Sequence, residues 1–343
     1  MTWTRSERRY AWPWSRTKNL RRGIALPGLV LGLFLHSAAQ TPSHAGVNAP
    51  DTKDLGRAQR FLEQHHLQEA RALLNNIVET HASADAYLLL ADVAREQNDL
   101  AVTMNALQRA AKLDPEREDA YLEFSQICGD HGNGQLALDS AEVGLANIPG
   151  SYRLKIQKGV ALDMLGRFDD SIGILKEAAA QQAENSLATL SLAVVLTHAN
   201  RLEEADRLLA EGTQRYPQDA SMHYFRGKLL LQLASASNDG DSLRAHARQE
   251  FTAALHFNPA HADAWYQLAT LYSPNEQLQA EAALHRCLKL NPQHAPAQYA
   301  LARLYVRNGK RAEGEAMLAR YKADQRAAEL QQNKQLRIDV AGR

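Results

Sequence analysis

Cysteine is scarce in this chain, net charge is absent, and no apolar run is long enough to cross a bilayer. The 343 residues hold two cysteines, Cys128 and Cys287, and twenty-two aromatic residues. Basic and acidic residues balance at 39 each. The balance is uneven along the chain, since residues 1–23 carry seven bases (Arg5, Arg8, Arg9, Arg16, Lys18, Arg21, Arg22) and one acid, Glu7. The remainder from residue 46 onward has a net charge of −6. That argues against nucleic-acid binding, which needs clustered cations facing phosphate. Catalytic signatures are also missing. There is no HExxH, no GxxxxGK, no GxGxxG after a strand and no paired CxxC.

The basic start is followed by "IALPGLVLGLFL", residues 24–35. This stretch falls short of the roughly 20 residues needed to span a membrane as a helix. A positive region, a short apolar run and then small residues is the layout of a secretory signal. Ser37-Ala38-Ala39 and Ser43-His44-Ala45 are candidate cleavage sites. Residues 1–45 are therefore expected to be a signal peptide or an uncleaved signal anchor. The protein is expected to be exported, periplasmic or secreted, or alternatively held in an inner membrane by residues 24–39. Residues 46–50 read as a linker.

What is present in place of motifs is repetition. "ADAYLLLADVA" (84–94), "EDAYLEFSQIC" (118–128) and "ADAWYQLATLY" (262–272) share one template. Prolines set the period. Pro115 and Pro149 stand one period apart, Pro149 and Pro217 two, and Pro259 and Pro292 close to one. That period is about 34 residues, the length of a known helix–turn–helix repeat. With the proline at position 32, units start at Asp51, Ala84, Glu118, Tyr152, Ser186, Ala220, Ala262 and Ala295. Position 8 is then Ala58, Ala91, Ser125, Gly159, Ala193, Gly227, Ala269 and Ala302. Position 20, allowing one insertion and one deletion, is Ala70, Thr103, Ala137, Ser171, Ala205, Ala247, Ala280 and Gly314. Small residues in both columns allow two helices to cross closely. Position 24 is mostly large and apolar, from Leu74 and Leu107 to Phe251 and Leu284, and fills the space beside the crossing. Gly or Asn in "GDHGNG", "LGR", "HANR" and "NGK" ends the first helix of a unit, and the proline stops the second.

This pattern resembles the tetratricopeptide repeat. The resemblance implies an all-α, right-handed superhelical solenoid of about eight helix–turn–helix repeats over residues 51–326. Residues 327–343 read as a C-terminal helix extension and tail. The first and fourth units lack the proline (Ala82, Ala183). The sixth carries extra residues at 234–246, either a loop between its helices or an extension of their ends. The seventh has Pro274 and a shorter turn.

No cofactor or metal site is expected. His65-His66, the pair His256 and His261 around Pro259, and "NDGD" at 238–241 each lack further ligands. Cys128 and Cys287 fall at core positions on helices with eight others between them. Neighbouring axes lie roughly 8–10 Å apart, whereas a disulfide needs Cα atoms within about 7 Å, so both thiols are expected to be free.

The resemblance also implies that first-helix positions 2, 5, 9 and 12 line a concave groove. Early units place Asp85, Asp92 and Asp119 there, middle units Ile156, Val160, Leu190 and Val194, and late units Tyr224, Lys228, Tyr266, Tyr299 and Arg303, with Arg307 adjacent. Tyrosine at position 5 of three successive units reads as a ladder, and Tyr and Arg are favoured binding anchors. The expected function is a non-enzymatic scaffold that holds a partner peptide or helix in the groove. The expected partner is a protein or peptide, with no nucleic acid, and with a membrane only through an uncleaved N-terminus. Alternatives are an obligate subunit of an envelope or secretion complex, self-association through the polar C-terminal helix, or a groove enzyme built on Asp163, His198 and His223.

Overall fold

The computed structural model describes residues 49–326, except 238, 320, 324 and 325, with side chains from Lys53 onward. The expected signal segment, the linker up to residue 48 and the tail 327–343 lie outside the described residues. Among those described, all regular structure is helical.

The helices alternate as first and second members of successive repeats. They are α1 (Ala49–Glu63) and α2 (Leu67–Thr80), α3 (Ala84–Glu96) and α4 (Leu100–Leu113), α5 (Glu118–Asp130) and α6 (Gly134–Asn147), α7 (Tyr152–Met164) and α8 (Phe168–Gln181), then α9 (Ser186–His198) and α10 (Leu202–Arg215). These are followed by α11 (Ala220–Ala236) and α12 (Gly240–Phe257), α13 (Ala262–Thr270), a 3-10 turn (Pro274–Glu276) and α14 (Gln277–Leu290), then α15 (Ala295–Arg307) with a final helical stretch at 311–319. Every first helix from α3 onward begins on the residue at which the sequence pattern starts a unit. The helices form two compact units, Met1–Ala199 and Asn200–Arg343. The boundary falls between α9 and α10, inside the fifth repeat.

The small columns do what helix crossing requires. In the third repeat the Ser125 hydroxyl donates to the Ala137 carbonyl at 2.9 Å, linking position 8 to position 20. In the fourth the direction reverses, and Ser171 donates to the Gly159 carbonyl at 2.6 Å. A β-carbon on Gly159 would lie 2.5 Å from Leu175 Cγ, and one on Gly227 would lie 2.9 Å from the Phe251 ring. Position 24 thus occupies the volume that position 8 vacates, in the same repeat. Buried hydroxyls there satisfy themselves on backbone oxygens, which removes the cost of burying them.

The turns inside repeats use a left-handed residue, at φ +57 to +58° for His65, Asn98 and Asn200 and at +73 to +81° for Gly132, Gly166 and Gly309. Second helices stop at the same register with or without proline. The C-cap residues are alike in Asp114 (φ −135°), before Pro115, and in His81 (φ −143°) and Gln182 (φ −129°), before Ala82 and Ala183. Proline therefore fits the stop and is not its sole cause.

The extra residues of the sixth repeat lengthen both helices. α11 has 17 residues and α12 has 18, against 13 and 14 in most repeats. In the seventh repeat α13 has only nine residues. Ser273 and Glu276 form a reciprocal capping box ahead of α14, which replaces the lost turn. Cys128 and Cys287 are buried and unpaired, each in the core of its own unit. Burial pushes both thiols up to about 12.

Candidate partner-binding faces

In the first unit the candidate residues are mostly engaged by the protein itself. Asp85 is exposed and pairs with Arg117 at 2.7 Å. Asp92 is buried and accepts from Arg95 at 2.6 Å. Asp119 meets Arg153 at 3.3 Å, while Arg153 also binds Glu118 at 2.7 Å. The expected acidic start of the groove is thus a set of neutralised pairs. Ile156 is 1% exposed, and Val160 and Val194 are also buried. These three belong to the packing between helices and offer a partner no surface, which corrects the apolar middle of the expected groove. Leu190 is half-buried.

In the second unit the tyrosine ladder separates into three cases. Tyr224 is 8% exposed and packs with Phe251, Leu268 and Phe225. Burial drives its hydroxyl pKa well above the ordinary value. Tyr224 is therefore a core residue and not a partner contact, which corrects the first rung of the expected ladder. Tyr266 is half-buried and Tyr299 is 44% exposed. Each tyrosine has beside it a ring from further along the chain. Tyr224 lies 4.3 Å from the His261 ring, Tyr266 lies 4.9 Å from His294, and Tyr299 lies 5.9 Å from Tyr321. His261 and His294 are the N-caps of α13 and α15. The first two contacts join successive repeats, whereas Tyr321 belongs to the same repeat as Tyr299, and exposure grows from Tyr224 to Tyr299.

Cations accompany Tyr224 and Tyr299 at i, i+4 spacing. Lys228 Nζ stands 5.7 Å from the Tyr224 ring centre and 5.4 Å from Phe225. The Arg303 guanidinium stands 5.8 Å from the Tyr299 ring. Lys228, Arg303 and Arg307 are all exposed. Among the described residues, Arg303 and Arg307 have no carboxylate within ion-pair distance.

Within "ADAWYQLATLY", Trp265 and Tyr272 pack against the apolar clusters on both sides of α13. Trp265 Nε1 donates to the Pro259 carbonyl at 2.9 Å. Tyr272 carries Arg248 over its ring at 4.6 Å, and Arg248 binds Glu276 at 2.7 Å. The Arg248 hydrogen bond and the Ser273 cap together hold the Glu276 carboxyl down to about 2. Spacing alone did not single out this platform.

The residues weighed for catalysis are held in structural pairs. His198 Nδ1 lies 2.8 Å from Asp163, joining α9 to α7. His223 faces Glu250 at 2.6 Å through Nδ1 and the Pro217 carbonyl at 3.0 Å through Nε2. Both ring nitrogens of His223 are thus engaged by oxygens of the protein itself. Among the described residues no group of three or more His, Cys, Asp or Glu side chains is arranged to hold a metal ion. Among the same residues no helix is long and apolar enough to cross a membrane.

Paired helices with small residues at each crossing define a helical-repeat protein. Sequence profiles of the tetratricopeptide repeat match residues 55–118, 164–229 and 277–336, together more than half of the chain. The chain belongs to the tetratricopeptide-repeat family. The crystal structure of yeast Tom70 is similar with a TM-score of 0.63 at 15% identity, over 88% of this chain and 68% of that one. A tetratricopeptide-repeat protein from Parabacteroides merdae gives a TM-score of 0.59 at 12% identity, over 75% of this chain and 99% of its own. PilF of Pseudomonas aeruginosa gives 0.51 at 20% identity, over 60% and 90%. These likenesses establish the fold. No curated protein matches the sequence.

Proposed function

We propose that the protein is a non-enzymatic scaffold that binds a segment of another protein on the second unit, through Lys228, Tyr266, Tyr299, Arg303 and Arg307. Repeats of this family generally serve protein–protein interaction and scaffolding. The observation that carries the reading is on α15. Tyr299 is 44% exposed, Arg303 lies over its ring, and neither Arg303 nor Arg307 is neutralised by a described carboxylate. An exposed aromatic beside uncompensated guanidinium groups is the residue chemistry that interface anchors favour. The full chain carrying Tyr299→Ala and Arg303→Ala should keep its helix content by circular dichroism. It should also lose co-purifying partners that mass spectrometry finds with the unaltered chain. Retention of every partner would sink the assignment of this face.

The proposed site of action is outside the cytoplasm, in the cell envelope or beyond it. The basic and apolar layout of residues 1–45 supports this. The mass of the chain recovered from cells tests it. Loss of everything up to Ala39 or Ala45 is expected, and recovery of the intact chain in the cytoplasmic fraction would exclude it.

A further inference from the structure

Apart from Arg117 ahead of α5, the residues before the first helices from α3 onward share one register position and cap the helix with a side chain. Ser83, Ser151, Asn185 and Asp219 each accept a backbone N–H through a side-chain oxygen. His261 and His294 take the same place with an imidazole. His261 Nδ1 accepts from the Ala264 N–H at 3.3 Å, and His294 Nδ1 accepts from the Ala297 N–H at 3.0 Å. An oxygen cap works throughout the neutral pH range. An imidazole nitrogen accepts only while it carries no proton.

The two imidazole caps are not equally sensitive. His294 Nε2 donates to Asp263 at 2.8 Å, so an added proton there would be partly compensated by that carboxylate. His261 caps α13, which at nine residues is the shortest α-helix among those described. Its ring lies against Tyr224 of α11, with Asp263 of α13 and Lys228 of α11 acting on it in opposite directions. Burial favours the neutral ring and holds its pKa below the ordinary value.

His223, on α11 of the same unit, has the opposite requirement. Its two nitrogens face the Glu250 carboxylate and the Pro217 carbonyl, so both must carry protons for both contacts to be hydrogen bonds. Arg226 shares Glu250 at 2.7 Å, Asp219 adds negative charge nearby, and the Phe257 ring stacks on His223 at 5.8 Å. The Glu250 hydrogen bond raises the pKa of His223 above the ordinary value.

We propose that the sixth and seventh repeats contain a pH-sensitive latch, in which α11, α12 and α13 hold together through a protonated His223 and an unprotonated His261. The signs follow from linkage. The contribution of His261 is present above the unfolded imidazole value, about 6.5, and is lost as pH falls through its lower folded value. The contribution of His223 is present below about 6.5 and is lost as pH rises through its higher folded value. Stability of this module therefore peaks near neutral pH and declines on both sides. Tyr266 lies one turn into α13, so the latch would also regulate the face proposed above. That consequence rests on the proposed function, whereas the latch does not.

The test uses the full chain between pH 5 and 8. Imidazole Cε1–H resonances are followed by NMR and assigned with His223→Gln and His261→Asn. Amide exchange in residues 262–270 is followed by mass spectrometry and corrected for intrinsic rates. His261 should titrate below its unperturbed value and His223 above. Protection of α13 should fall by up to ~10-fold per pH unit as His261 is protonated. His261→Asn, which restores an oxygen cap like that of Asn185, should abolish that fall. Titration in the reverse order, or a fall that survives His261→Asn, would overturn the latch. If His261→Asn does not fold, His261→Ser, which restores the cap type of Ser83 and Ser151, takes its place in both measurements.

Discussion

Gly159 shows how a single residue sets the spacing of a repeat. Leu175 fills the volume in which a Gly159 side chain would begin, at 2.5 Å. Gly159→Val should cost about 1–3 kcal/mol through overpacking, even though glycine is a poorer helix former than most residues. Combining it with Leu175→Ala should cost less than the sum of the two single changes, because each change relieves the other. Urea unfolding midpoints test this, and strictly additive losses would mean that the two residues do not share the space. At this scale the small columns were legible in the sequence, because a small side chain at a crossing is a local requirement that recurs in every repeat. The exposure of Tyr224 was not legible. Position 5 fixes which way a side chain leaves its helix, but His261 and the long α12, with Phe251 at its centre, determine that this tyrosine is covered. The column of cap residues held the missing signal. His261 and His294 stand where other repeats place Ser, Asn or Asp, and that alignment marks them as caps.

Among the elements, the second helices carry a lesson about punctuation. α2 and α8 end in register without a proline, with C-cap backbones like those of α4 and α6. His81 already has the extended φ that a residue before proline prefers. Ala82→Pro should therefore stabilise the protein by about 0.4–1 kcal/mol, by restricting the unfolded chain. A rise in the midpoint of thermal or urea unfolding checks it, and a fall would mean that residue 82 cannot take the proline conformation. The insertion at 234–246 was open in the sequence between a loop and longer helices. The structure resolves it as longer helices, which bury Ala234 on α11. A polar residue such as Ser235 made a loop plausible, since serine often leaves helices for turns. Packing of α11 on α12 outweighs that preference.

For the molecule as a whole, two thiols provide a simple check. Cys128 belongs to the first unit and Cys287 to the second, both buried and unpaired. The denatured, non-reduced monomer should release two free thiols to a thiol reagent, while the folded protein should react slowly. Finding none in the denatured chain would require a pairing that this fold does not contain. The sequence by itself determined the repeat, its register, its turns and the helical class, because these depend on residue size and backbone preference within a single repeat. Only the tertiary structure decided which residues of the expected binding surface are open. Asp85 and Asp119 are taken by arginines about one repeat length further along the chain, Ile156 is buried, and Tyr224 is covered by Phe251 and His261. The Glu250 carboxylate beside His223 and the Tyr224 ring against His261 are likewise brought there only by the fold. Burial and charge pairing are sums over neighbours distant in sequence, so a periodic pattern within one helix cannot report them.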